Sequence, residues 1–323
     1  MNESVADLLR RALVAARAGA PMYACVVVKA RGSTPQSAGA VMLVDDAART
    51  YGTIGGGCVE AEARRRTLQF MTDRISSSMR FRLDHDFGWD DGLICGGTID
   101  LIACPLPPAA VIELAIADLA AERPATLDFE FTDSNAETTA ASRVRYRLCV
   151  PPRPRLLIAG AGHVGAAVAR HGIALEFDVT LIDDRSDALD AGGGPGIATV
   201  CGPIDAMLRA QRIDDRTFVV IVTRGHRNDE QALAAVIERG AAYIGLIGSR
   251  RKIKLIGDDL AAEGVSPEAL ADVRAPIGLD IGSVTVEEIA VSIAAELVEQ
   301  RAALSRPRVD GPRTVRHDEA VRP

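Results

Sequence analysis

No apolar run in the 323 residues approaches the roughly 20 needed to cross a bilayer as a helix, so no membrane span is expected. A basic surplus is missing too. The sequence carries 37 Lys and Arg against 44 Asp and Glu, a net charge of -7. That balance argues against nucleic acid as a partner, since a phosphate backbone demands a broadly basic face. Any anionic ligand must then be met by local basic groups and backbone amides. The opening Met1-Asn2-Glu3-Ser4 lacks the basic flank and apolar core of a secretory signal, which points to the cytoplasm. Cysteines at CxxC spacing are absent. The six present (Cys25, Cys58, Cys95, Cys104, Cys149 and Cys201) are widely spread, the pattern of free thiols rather than of a disulfide frame. The five histidines show neither HExxH nor similar ligand spacing, so a tetrahedral zinc site is not expected.

What is present is ordinary globular material, 48% hydrophobic and 25% charged, in a length that suits two domains. Apolar residues at Val5, Leu8, Leu9, Leu13 and Ala16 form a helical stripe that Ser4 can cap. A β-rich region follows, with strands expected at Tyr23–Lys29, Val41–Val44, Met79–Leu83, Thr98–Ala103, Leu127–Phe131 and Val144–Cys149. Helices are expected at 58–70 and 111–121. The Pro-rich linker Pro151-Pro152-Arg153-Pro154 marks the boundary between an N-terminal α+β domain (1–150) and a second domain (151–304). There, strands at Leu156–Ala159, Val179–Ile182, Thr217–Thr223 and Tyr243–Ile247 alternate with helices, which signals a parallel sheet of α/β class. Thr285-Val286-Glu287-Glu288 reads as a capping box opening a last helix to about Leu304. The tail 305–323, Pro- and Arg-rich with few large apolar groups, is expected to be disordered.

Gly160-Ala161-Gly162-His163-Val164-Gly165 fits G-x-G-x-x-G between a strand and a helix. An acidic pair, Asp183-Asp184, ends the next strand about 20 residues on, where a ribose-binding carboxylate belongs. Together they predict a Rossmann-type domain. Two readings remain open: a diphosphate held by helix-start amides, or glycines that only permit close packing. His163 reads as a packing or amide-contacting residue. Thr223-Arg224-Gly225-His226-Arg227-Asn228-Asp229 and Gly248-Ser249-Arg250-Arg251-Lys252 follow two later strands at the edge where open α/β sheets place ligands.

In the N-terminal domain, Gly55-Gly56-Gly57 costs backbone entropy and needs a reason. Successive free amides there can form an anion-binding nest, reinforced by the following helix start. A thiol at Cys58 would then have a lowered pKa; alternatively Cys58 is a small residue filling a tight turn. Cys95-Gly96-Gly97 repeats the theme. If the two segments converge, Cys58 and Cys95 offer two soft sulfur ligands suited to molybdenum or to sulfur transfer. The other four cysteines sit in apolar strand contexts and are expected in the core.

These segments resemble a known family. Gly32-Ser33-Thr34-Pro35, Gly52 to Glu60 and Cys95-Gly96-Gly97 are similar to the N-terminal domain of the XdhC/CoxI family. Gly160 to Gly165, Thr223-Arg224-Gly225-His226 with Asp229, Tyr243 to Lys252, Pro276 to Gly282 and Glu287-Glu288-Ile289-Ala290 are similar to its Rossmann domain. The sequence departs at Gln36 and Val41, where basic residues are common, which leaves Arg31 as the local cation. The resemblance implies a molybdenum-cofactor chaperone rather than an enzyme. Such a protein protects the cofactor during sulfuration and delivers it to xanthine dehydrogenase or a related molybdenum hydroxylase. It implies a cysteine desulfurase as a further partner, and a homodimer is compatible with it. The implied cofactor contacts are Gly55, Gly56, Gly57, Cys58, Cys95, Gly96 and Gly97, and in the second domain Gly160, Gly162, His163, Gly165, Asp183, Arg224, His226, Ser249 and Arg250. A rival reading makes the Gly160 fingerprint an NAD(P) or flavin site of an oxidoreductase.

Overall fold

The structure is a computed structural model that describes residues 3–83, 96–133 and 142–304, with the backbone of 313–314. The chain divides into two units, Met1–Pro152 with Arg308–Pro323, and Arg153–Pro307. Cys95 lies outside the described residues.

In the first unit the Asp7 amide donates to Ser4 Oγ at 3.2 Å and starts α1 (Val5–Ala18). The chain continues through β1 (Met22–Arg31), β2 (Val41–Asp45), β3 (Thr50–Gly52), α2 (Gly57–Asp73), β4 (Ser77–Arg82), β5 (Thr98–Pro105), α3 (Ala109–Ala120), β6 (Ala125–Asp133) and β7 (Ser142–Val150). The sheet order is β7-β6-β4-β5-β1-β2-β3, antiparallel except where β4 meets β6. Strand β1 shows why its centre is apolar throughout. Ala24, Val26 and Val28 pack in one cluster with Leu8, Leu9 and Ile112 of α1 and α3. Tyr23, Cys25 and Val27 pack in the opposite cluster with Val59 and Ala63 of α2. A strand covered on both faces loses the usual alternation.

Strands β6 and β7 are covered on one face only. Leu127, Phe129 and Phe131 point inward; outside, Arg147 reaches Asp128 at 2.8 Å and Arg145 reaches Glu130 at 2.7 Å. Cys149 shares that outer face and is exposed, which corrects the expectation of a core thiol. The period of two sets its side, not the hydrophobicity of its neighbours.

The second unit runs β8 (Arg155–Ala159), α4 (His163–Ala174), β9 (Asp178–Asp183), α5 (Ser186–Gly192), β10 (Ile197–Cys201), α6 (Ile204–Ala210), β11 (Thr217–Ile221), α7 (His226–Ala234), β12 (Tyr243–Leu246), α8 (Arg250–Ala262), α9 (Pro267–Ala271) and α10 (Val286–Leu304). Its five strands are parallel, in the order β10-β9-β8-β11-β12, a Rossmann-type sheet with helices on both faces. Sequence patterning does not reveal strand β10. It lies at the sheet edge, and none of its residues is buried. Cys201 is exposed there, a second correction to the core assignment. In the tail, Arg313–Thr314 (β13) pairs antiparallel with β7, a strand that the composition of the tail does not predict; the rest of 305–323 lies outside the described residues.

Helix α10 opens on the expected capping box. The Thr285 amide donates to Glu288 Oε2 at 2.8 Å, and the Glu288 amide donates to Thr285 Oγ1 at 3.3 Å. Farther along, the buried Glu296 carboxylate accepts from the Tyr243 hydroxyl at 2.6 Å and from the Gly278 amide at 2.7 Å. Ser292 Oγ donates to the Leu279 carbonyl at 2.6 Å. The segment after Pro276 is thereby clasped between β12 and α10. Burial, then the Glu296 carboxylate, push the Tyr243 hydroxyl pKa far above its ordinary value, so it stays a proton donor.

Two glycines bring α4 against the strands. A Cβ on Gly160 would lie 2.5 Å from the Val222 carbonyl oxygen, and one on Gly165 would overlap the Gly160 carbonyl oxygen. Gly162 differs: its φ is -68°, and a Cβ there would meet nothing within 4 Å. Gly165→Ala is therefore expected to cost about 3 kcal/mol, because a backbone carbonyl cannot rotate away. Gly162→Ala should stay within about 0.5 kcal/mol of the parent, as the lost cap preference and the reduced unfolded-state entropy oppose each other. Thermal unfolding of both variants checks this; equal midpoints for the two would refute it.

Candidate functional site

In the first unit three loops meet at one end of the sheet. Gly55 lies against Pro35, its would-be Cβ 2.5 Å from the proline Cγ. Ser33 forms a bridge with Gly96, and a Cβ on Gly97 would overlap the Ser33 carbonyl oxygen. The Gly32–Pro35 turn thus joins the Gly55–Gly57 loop to the Gly96–Gly97 strand start. Gly55, Gly56 and Gly57 have φ of 125°, 74° and 62°, a run that side chains with a Cβ rarely adopt. The space beside Gly56 and Gly57 is open.

The amides of this loop are not all free. Glu60, one turn into α2, turns back so that Oε2 accepts from Thr53 Oγ1 at 2.8 Å, the Gly56 amide at 3.0 Å and the Ile54 amide at 3.4 Å. Thr53 Oγ1 in turn accepts from the Gly55 amide at 3.0 Å. A carboxylate of the chain itself takes the place that an anion would take in an empty nest. What remains is the first turn of α2, which has no side-chain cap, with Cys58 half-buried in it. Arg31 is exposed at the end of β1. Sequence reasoning missed Glu60; its place one turn after a glycine run, reaching back to the loop amides, is a variant of the capping box. Burial pushes the Cys25 and Cys104 thiols up to about 12, so neither is a nucleophile or soft ligand at neutral pH.

In the second unit the expected residues gather at the C-terminal edge of the sheet, around the switch between β8 and β11. Gly160 and Gly162 lead into α4, whose first turn lacks a side-chain cap; His163 is exposed at its start. Gly225 leads into α7, also without a side-chain cap. Arg224 is exposed between them and, among the described residues, has no ion-pair partner; the same holds for Arg250 at the start of α8. Ser249 caps α8, accepting from the Lys252 amide at 3.3 Å. Thr223 Oγ1 donates to the fully buried Asp229 at 2.6 Å, and Lys252 pairs with the other Asp229 oxygen. Two uncapped helix starts on one sheet edge, an open backbone position at Gly162 and an exposed arginine in the loop before α7 are features that can hold a phosphate or diphosphate.

Asp183 is placed differently from a free ribose-binding carboxylate. Its Oδ2 accepts from the Ala161 amide at 2.7 Å and from the Arg185 guanidinium at 2.9 Å. Its Oδ1 accepts from the Arg185 amide at 3.0 Å and Nε at 2.9 Å. Both oxygens are engaged, and the side chain is buried. His226 also has company: its Nε2 lies 3.7 Å from Glu230 Oε2 and 3.8 Å from Asp259 Oδ2. Sequence reasoning missed both acidic residues, although His226 and Glu230 stand at i,i+4 on one helix face, a spacing that sequence shows.

Burial alone would raise the Asp183 carboxyl, but the Arg185 guanidinium and the two amides outweigh it and hold the pKa below the ordinary Asp range. This stabilisation is complete above the unfolded value of about 3.9 and is lost as pH falls through the lower folded value. Asp183→Asn is thus expected to lose about 1–3 kcal/mol at pH 7, with the gap to the parent closing below about pH 3.9. Urea unfolding between pH 7 and 3 measures it; a pH-independent gap would contradict the ionised role.

Known proteins provide a further comparison. Residues 15–82 match the family model described as the XdhC and CoxI family, and residues 156–297 match that of the XdhC Rossmann domain. The chain is 29% identical over 281 residues to YqeB of Escherichia coli K12, covering 86% of this chain and 43% of that longer protein. It is 24% identical to a probable xanthine dehydrogenase subunit of Bacillus subtilis 168, over 85% of this chain and 92% of the relative. It is 26% identical to the molybdenum cofactor insertion chaperone PaoD of E. coli K12, over 91% and 88%. A Bacillus halodurans protein described as a xanthine dehydrogenase has the same fold in its crystal structure, with a TM-score of 0.79 at 20% identity, covering 95% of this chain and 98% of that one. With both of its units matched in order, the chain belongs to the XdhC and CoxI family.

Proposed function

We propose that this protein is an accessory factor, not a turnover enzyme, that binds the molybdenum cofactor and passes it to a molybdenum hydroxylase of the xanthine dehydrogenase kind. Two relatives of nearly the same length support the role by name, one an insertion chaperone and one a dehydrogenase subunit. The observation that carries it is the cradle at Gly162: an open backbone position at an uncapped helix start, on the same C-terminal sheet edge as the loop of the exposed Arg224. The phosphate of a pterin cofactor suits that cradle, with Gly160 and Gly165 shaping it and His163, Ser249 and Arg250 at its rim. Taken by itself, the first unit is a second candidate place for such a cofactor: Gly56, Gly57 and Gly96 leave backbone accessible, and Cys58 beside them offers a soft sulfur ligand. The cofactor is cargo here. Its sulfuration while bound, with a cysteine desulfurase as the sulfur donor, and a homodimeric state complete the reading.

A dinucleotide is the competing ligand for the Gly160 fingerprint. The Arg185 clamp on Asp183 weighs against it, since a ribose would have to displace a guanidinium bonded to both carboxylate oxygens.

Apoprotein mixed with released molybdenum cofactor should retain about one per chain or fewer through gel filtration, read by pterin fluorescence. Elution of all pterin apart from protein at micromolar concentrations would end this proposal. Arg224→Ala and Gly162→Asp should each weaken retention about tenfold, a loss of about 1.4 kcal/mol, and NAD(P)+ should not compete. For Cys58, bound cofactor should slow alkylation of this thiol but leave Cys149 and Cys201 unchanged, and Cys58→Ser should release cofactor faster. Equal labelling with and without cofactor, alongside full retention by the Ser variant, would remove Cys58 from the site.

A further inference from the structure

The trio His226, Glu230 and Asp259 lies on the facing sides of α7 and α8, and its arrangement calls for an explanation. His226 and Glu230 lie one turn apart on α7; Asp259 comes from the third turn of α8. One ligand atom from each falls within 4.8 Å of the other two. The two carboxylates have no Lys or Arg partner among the described residues; the one basic side chain beside them is the His226 imidazole. Yet the imidazole contacts, at 3.7 and 3.8 Å, are too long for hydrogen bonds. The three groups face a common centre without bonding to each other.

We propose that His226 Nε2, Glu230 and Asp259 form a binding site for a divalent d-block cation of the Zn2+ type. A cation with ligands at about 2.0–2.2 Å sets its donor atoms roughly 3.0–3.5 Å apart. Small rotations of three partly exposed side chains close the observed spacings to that span. One imidazole nitrogen with two carboxylates suits zinc or a similar borderline ion; an all-oxygen set would suit magnesium or calcium. Three protein donors leave a coordination position open to water or to an anionic ligand, the pattern of an accessible rather than a sealed site. The ion would neutralise the paired carboxylates and tie α7 to α8. The site stands apart from the expectation that ruled out zinc, because one of its ligands comes from a different helix.

The test is calorimetric titration of the full chain with Zn2+ alone, after capping its accessible thiols with iodoacetamide, which adds a neutral amide, so that cysteine cannot supply the ligands. The expected result is about one Zn2+ per chain with micromolar affinity, weakened at least tenfold in His226→Ala and in Asp259→Asn. Mg2+ at the same concentrations should give no saturable heat. Absence of Zn2+ binding at 100 times that concentration, or undiminished binding in both variants, would overturn the site. Because His226 and Asp259 are partly exposed, both variants should keep the parent's circular dichroism; were one to unfold, the other carries the test. The titration uses cofactor-free protein, so its outcome is read separately from cofactor retention.

Discussion

The second unit depends on one close approach, the backbone of Gly160 against Val222 and Gly165. Three backbone segments meet where no Cβ fits, so the start of α4 is pressed onto the ends of β8 and β11. That contact fixes the direction of the α4 amides and opens the gap at Gly162. The open position at Gly162, the exposed Arg224 and the start of α7 all lie on the same sheet edge and inherit their placement from it. A side chain at Gly160 or Gly165 would move several elements at once, because a packed interior transmits displacement rather than absorbing it.

The acidic balance of the chain has a structural use. Glu60 holds the amides of Ile54 and Gly56; Asp183 holds those of Ala161 and Arg185; Glu296 holds Gly278; Glu288 holds Val284 and Thr285. In each case a carboxylate satisfies donors in a loop that no sheet or helix can satisfy, and charge makes those bonds stronger than neutral ones. Loops that carry several glycines are thus rigid despite their composition. The same accounting leaves Arg224 and Arg250 without internal anions, which is why an acidic protein still has cationic groups available at its sheet edge.

The two units treat the same physical problem differently. Unit one buries both faces of its central strands but leaves β6 and β7 half-covered, so cross-strand Arg–Asp and Arg–Glu pairs decorate the open face. Exposed pairs of this kind contribute little stability, about 0.2–1 kcal/mol each. Their value is to keep a bare sheet face soluble and to discourage strand-to-strand association. Unit two covers both faces of a parallel sheet with helices and carries its polar groups at the strand ends instead.

Much of this was legible in the sequence, because it rests on local patterns. Helix α1 follows from Ser4 and an apolar stripe, α10 from the Thr285–Glu288 capping box, and the Rossmann order from alternating strands and the glycine fingerprint. Those signals are short-range: a cap, a period or a glycine acts within a turn or two. Other features needed the tertiary structure, since each depends on how separate elements pack or on the rotamer that a neighbour adopts. That Cys149 and Cys201 face outward depends on which sheet face is left uncovered and which strand is the edge. The clasp of Arg185 on both Asp183 oxygens depends on a rotamer that sequence proximity does not specify. That His226 meets Asp259 depends on how α7 and α8 pack, 33 positions apart by number, a contact no local spacing encodes.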